Sequence, residues 1–182
     1  MPAAAKLLSY KEWLELPQDD DGREECVNGV IEKMPPAKSE HAFIVENLAD
    51  QLRDTVDRSV FRVMVTNFGL VIRQTPVTQR TPDIAVFERA TLLIKDGYFH
   101  SAPALAIEVL LPSNTPRRMR AILADYASIG VPEVWAIDPG TRTTTIHLLE
   151  DGVYRATRLS HDGVTNPIRL PSVTVDFSAI WP

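Results

Sequence analysis

Two acids sit inside two apolar, strand-like runs: Asp83 in TPDIAVF (81–87) and Glu108 in ALAIEVLLPSNTP (104–116). A carboxylate in an apolar run costs free energy unless something compensates it. Edge placement or a paired carboxylate is the plain explanation. The chemical explanation is a metal ion held between neighbouring strands. Asp83 opens one run and Glu108 lies late in the other, so the two ends are expected to meet at one edge of a mixed sheet. Two carboxylates there repel unless a cation lies between them or one keeps its proton. Hard oxygen ligands favour magnesium, which takes one or two carboxylates and keeps several waters. Such an ion activates water and stabilises charge on a phosphoryl oxygen.

The other reactive side chains offer less. Cys26 is the only cysteine, which excludes an internal disulfide and a cysteine-based zinc site. Its neighbours, REECVNG, hold no histidine that could act as a base, so a buried small side chain is expected. Arg117-Arg118-Met119-Arg120 reads first as a solvated helix face. A basic helix start rich in free N–H groups also suits a phosphate, and makes Arg117, Arg118 and Arg120 candidates for DNA contact. No Ser-His-Asp spacing or phosphate loop is visible.

The elements that must position these groups follow from patterning. Ser9-Tyr10-Lys11-Glu12 is a capping box, so a helix is expected to about Leu16, stopped by Pro17. Asp19-Asp20-Asp21-Gly22 reads as a solvated turn. Asn28-Gly29 between short alternating stretches is a hairpin signal. Ser39 is expected to cap a helix over 40–57, with Ile44, Leu48, Leu52 and Val56 as its apolar stripe. Strands are expected at 60–65, 68–73 and 83–87, with 92–95 ambiguous. The near-continuous apolar run 104–111 suits a central strand covered on both faces. Thr115-Pro116 opens a helix to about Ile129, ended by Gly130. Met119, Ile122, Leu123, Tyr126 and Ile129 are its inward stripe. VWAI (134–137) is a buried strand that includes a core Trp135, 143–159 a hairpin around Asp151-Gly152, and 173–177 a last strand. A strand–helix–strand order makes 104–111 and 134–137 parallel neighbours.

The 182 residues are expected to form one domain (1–182), with an ordinary apolar content of 45%. A net charge of −5 argues against an unspecific basic coat for nucleic acid but leaves room for a local basic groove. No signal peptide and no membrane-length apolar run is visible, so a cytoplasmic protein is expected.

Pro82-Asp83 followed by Glu108-Val109 on the next strand resembles the PD-(D/E)XK nuclease superfamily. EVLLPSNT, DYASIGVPEVWAIDP and EECVNGVIEKMPP with His41 resemble the Uma-type restriction endonucleases, over about Lys11 to Ile180. The resemblance implies an α/β (mixed α+β) fold with a restriction-endonuclease-like core: a mixed β-sheet flanked by helices, with N-terminal and C-terminal β-hairpins. It implies a magnesium- or manganese-dependent DNA endonuclease, Asp83 and Glu108 as metal ligands, and Glu25 as an accessory acid. His41 would position a phosphate or water, and a homodimer is expected. The superfamily's lysine is missing: the position two residues after Glu108 is Leu110, and the alternative helical position is Ile122. Arg118, one turn before Ile122, is the nearest replacement, although an arginine stays protonated and is no base. The competing reading is a catalytically degenerate nuclease fold serving as a DNA- or protein-binding or assembly module.

Overall fold

The protein is described from a computed structural model, over residues 6–17 and 24–182; the acidic turn expected at 19–22 lies outside the described residues. Helix α1 (Tyr10–Leu14) starts at the Ser9–Glu12 capping box and ends slightly earlier than its pattern suggests. Strands β1 (Glu24–Val27) and β2 (Val30–Lys33) form the expected hairpin. Asn28 and Gly29 both take positive φ at its tip, the geometry that tight turn demands. Helix α2 (Ser39–Thr55) begins one residue earlier than expected. Lys38, not Ser39, is its N-cap, and it makes no side-chain capping bond.

β3 (Phe61–Val65), β4 (Leu70–Gln74), β5 (Val77–Arg80) and β6 (Ile84–Glu88) follow. The short strands β7 (Ile94–Lys95) and β8 (Tyr98–Phe99) lead to β9 (Leu105–Val109), α3 (Pro116–Ser128) and β10 (Glu133–Asp138). β11 (Thr143–Glu150) and β12 (Val153–Leu159) make the second hairpin. β13 (Val164–Thr165), β14 (Val175–Asp176) and a 3-10 turn (Phe177–Ala179) end the described fold.

The central sheet has the order β12-β11-β10-β9-β6-β3, with β9 and β10 parallel as the crossover requires and the other pairs antiparallel. A second sheet has the order β2-β1-β5-β4-β8-β7. Alternation along the central strands sorts side chains by layer. Ile84, Val86, Leu105, Ile107 and Val109 pack beneath α2 through Ile44, Leu48 and Leu52. Ala85, Phe87 and Ala106 face α3 through Ile122 and Tyr126, joined by Phe68 and Leu70 next to and on β4. Trp135 is fully buried. α1 covers the second sheet, with Tyr10 and Trp13 packed on Cys26, Val71 and Val77.

β5 carries no hydrophobic signal beyond Val77, yet all four of its residues are buried. Its polar side chains are held by bonds instead of apolar packing. The Thr78 hydroxyl accepts from Asn28 N–H, and Gln79 Nε2 donates to the Arg80 carbonyl and to Thr81. Gln79 Oε1 stays buried without a partner among the described residues, but the other bonds offset much of the cost of burying this polar strand, which a hydrophobicity pattern cannot reveal.

Candidate active site

Asp83 stands just before β6, where its carbonyl accepts the Thr66 N–H. β6 and β9 pair Ile84 with Ile107 and Ala85 with Ala106. The pairing ends there, so Asp83 lies just beyond it, beside Glu108 and Val109, where its side chain is bonded by His41 of α2 while that of Glu108 is bonded by Tyr126 of α3. The small Ala85 and Ala106 next to the acids let α3 approach closely. Glu108 lies under that helix, where Tyr126 reaches it.

The two acids have different surroundings. Asp83 Oδ2 accepts the Val109 N–H at 2.7 Å, and Oδ1 lies 3.1 Å from His41 Nε2. Glu108 Oε1 accepts the Tyr126 hydroxyl at 2.5 Å. Burial of its carboxyl group pushes the Glu108 pKa well up, although part of the residue remains exposed. The charge of Asp83 pushes it further, and the Tyr126 bond opposes the shift. Burial and the neighbouring acid also push the Tyr126 phenol upward. Burial lowers the pKa of His41, but its bond to Asp83, that residue's charge and the Val109 backbone together outweigh it, so the net shift is upward.

Next to this pair runs a chain of charges. Glu25, in the first hairpin, is buried and accepts from Arg80 Nη1 at 2.9 Å and from Arg118 Nη2 at 2.7 Å. Its other oxygen accepts the Thr81 N–H at 3.0 Å. Arg80, only 2% exposed, also donates to Asp125 Oδ2 from Nε and Nη2, at 2.9 and 2.6 Å. Arg118 completes the chain on Glu32 at 3.0 Å. Such pairs tolerate burial because each charge meets an opposite one in good geometry. Their field reaches the acids: Glu25 raises the Glu108 pKa and Arg80 lowers it.

Of the residues singled out in the sequence, Asp83 and Glu108 lie near each other at the ends of β6 and β9, each with its own partners, and His41 joins Asp83. Glu25 and Arg118 meet in the adjoining ion-pair chain. Arg117 and Arg120 remain exposed on the first turns of α3 and make no ion pair among the described residues. Ile122 points inward, 3% exposed, as its helical phase requires. Arg80 and Asp125 are functional candidates that pattern reading passed over. The available signal was Arg80 within the polar run before Pro82, which a hydrophobicity scan reads as a loop.

The residues present fit a hard divalent ion in donor chemistry. Two carboxylates on facing strands, one destabilised by the other, are the set that magnesium takes together with water. No group of three or more His, Cys, Asp or Glu side chains gathers as a metal site among the described residues. Beside His41 a cavity of about 230 Å³ opens at the ends of β9 and β10, lined by Lys38, Leu110, Leu111 and Pro139 among others.

Residues 10–178 match the model of a family, Uma2, described as putative restriction endonuclease. The structure is similar to the crystal structure of a putative nuclease belonging to DUF820 from Anabaena variabilis, with a TM-score of 0.79. The similarity covers 95% of this chain and 97% of that one, at 18% identity, so it is a likeness of fold. No curated protein matches the chain. No helix among the described residues is long and apolar enough to cross a membrane.

Proposed function

Because this chain belongs to the Uma2 family of putative restriction endonucleases, we propose that it is a DNA endonuclease that hydrolyses phosphodiesters with magnesium or manganese. Asp83 and Glu108 would hold the ion, which when bound supplies Lewis acidity toward a water molecule and a phosphoryl oxygen. Tyr126 holds the Glu108 carboxylate in one orientation. His41 orients Asp83 and carries a proton on the side of the cavity. Glu25 acts as accessory acid by holding Arg80 and Arg118 beside the reacting centre, where their fixed charge favours an anionic phosphate. Arg117, Arg120 and His41 are the phosphate contacts that bring a DNA strand to the acids. A cytoplasmic homodimer completes this reading, and light scattering on the purified protein tests the dimer.

The observation that carries the proposal is the closeness of the two acids at the ends of β6 and β9: Asp83 accepts the N–H of Val109, the residue after Glu108, and its charge helps to raise the Glu108 pKa. Plasmid cleavage with magnesium or manganese tests it. Wild type should nick supercoiled DNA, and Glu108→Gln and Asp83→Asn should each lose at least a hundredfold. Equal cleavage by a folded Glu108→Gln protein sinks the assignment.

A second reading has its own support. No lysine stands at 110 or 122, Ile122 is sealed in the core, and Arg118 is committed to Glu25 and Glu32. A nuclease fold retired from catalysis and kept for binding DNA or protein fits those facts. It predicts DNA binding that survives in Glu108→Gln, with no cleavage by wild type under any divalent ion.

A further inference from the structure

Four arginines line one open depression on the central sheet, at the end away from the acids. Arg53 and Arg58 come from the end of α2 and the turn after it, Arg62 from β3, and Arg89 from the residue after β6. Val56 and Phe61 also line it, its volume is about 290 Å³, and no acid lines it among the described residues. Four of the nineteen basic residues of a chain with net charge −5 thus gather in one hollow.

Two of these guanidinium groups are fixed without being neutralised. Arg58 donates from Nε and Nη2 to the Arg53 carbonyl at 2.9 and 2.8 Å. Arg89 donates from Nε to the carbonyls of Arg58 and Phe61, at 2.8 and 3.2 Å. Carbonyl partners orient a guanidinium but leave its charge in place. Among the described residues, Arg62 Nε contacts only the Met64 sulfur, at 3.4 Å. Among the described residues, Arg53 is the one of the four that meets carboxylates, Asp50 at 3.5 Å and Glu46 at 3.8 Å, both exposed and at long range. Such exposed pairs contribute little. Clustered cations with preset orientation gain most from an anion that several of them can share, and a guanidinium fork matches phosphate oxygens.

We propose that this depression binds a phosphate group. Two sources share that chemistry: a free phosphate or pyrophosphate, and the backbone of a nucleic acid. The second source rests on the nuclease reading and on the strand register. β3 is an edge strand, and its pairing with β6 runs from Phe61–Glu88 at the depression to Val65–Ile84 beside Asp83. Four residue steps at roughly 3.4 Å each span about 14 Å, a distance that one nucleic-acid strand covers within a few phosphates.

The test is calorimetry with pyrophosphate at low salt on the full chain, with Arg53→Ala/Arg62→Ala as the variant. Both replaced side chains lie outside the proposed catalytic groups and make no bond to backbone among the described residues. Saturable binding by wild type, weakened at least tenfold in the variant at unchanged melting temperature, is expected. Arg62→Glu alone, at an exposed edge-strand position, should weaken it as well. Binding of a labelled duplex in EDTA then separates the sources. A backbone site predicts weaker duplex binding by the variant and a salt slope reduced by about two. A free-phosphate site predicts unchanged duplex binding. Absence of saturable pyrophosphate binding by wild type, or equal affinity in the folded variants, overturns the proposal. Failure of the nuclease reading shows separately, in plasmid cleavage by Glu108→Gln, and leaves the pyrophosphate result standing.

Discussion

The phenol of Tyr126, on α3, donates a 2.5 Å hydrogen bond to Glu108, on the strand that precedes that helix. It opposes the burial and the Asp83 charge that drive the Glu108 pKa upward. Tyr126→Phe keeps the ring and removes the donor. It should cost about 1–3 kcal/mol of stability, as expected when a buried acceptor loses its partner. It should also move the acidic limb of the cleavage profile to higher pH. A melt and a pH–rate series on one variant measure both, and an unmoved limb would show that Glu108 does not titrate in the reaction.

The metal-free protein should lose stability as pH rises. The folded Glu108 pKa lies above its ordinary 4.5, so its contribution is present below 4.5 and disappears as pH climbs through the raised value. His41 acts in the same direction from 6.5 upward, since its pKa is also raised in the fold. Denaturant melts in EDTA across pH should show wild type falling relative to Glu108→Gln. The variant His41→Asn should flatten the part above 6.5. Parallel curves for all three proteins would contradict the pKa shifts.

A divalent cation should reverse that loss. An ion that binds only the folded state at a hundred times its dissociation constant adds about 2.7 kcal/mol. Magnesium or manganese should therefore raise the melting temperature of wild type, and do so far less for Asp83→Asn or Glu108→Gln. This readout does not depend on turnover. A shift of equal size in all three proteins would place the ion elsewhere.

Arg80 should be among the least replaceable residues outside the apolar core. Arg80→Met takes from Asp125 its cation and leaves the buried Glu25 with Arg118 alone, and breaking buried pairs in this way costs up to about 3–5 kcal/mol. Glu25→Gln combined with Arg80→Met should cost less than the sum of the single changes, because the two lose one contact. Additive costs in urea melts would mean that the 2.9 Å pair contributes nothing to folding.

Ile122→Lys places an ammonium beneath α3 in the layer that holds Tyr126. It should lower the melting temperature and, in the protein that still folds, raise cleavage above wild type. A folded variant with no gain would indicate either that a residue such as Arg80 already supplies the positive charge or that the pocket is retired from catalysis.

Much of this architecture was legible in the chain because it is local or periodic. The Ser9–Glu12 box, the Asn28-Gly29 turn, the Thr115-Pro116 helix start and the parallel pairing of β9 with β10 each depend on neighbours in sequence or on one repeating face. Asp83 and Glu108 were visible for the same reason, as charges out of place in apolar runs. The inward phase of Ile122 followed from helical spacing and holds in the fold. What the sequence alone determined is therefore where the elements lie and which acids they carry.

Only the tertiary structure decided the partners. Arg80 comes from a polar strand that no hydrophobic pattern marks, and it meets Glu25 and Asp125 from positions 55 and 45 residues away. The same holds for His41 on Asp83, for Arg118 on Glu25 and for the hollow shared by four arginines. A buried charge finds its counter-charge through space, so the balance that makes it tolerable is a property of the folded sheet edges and has no period in the sequence to betray it.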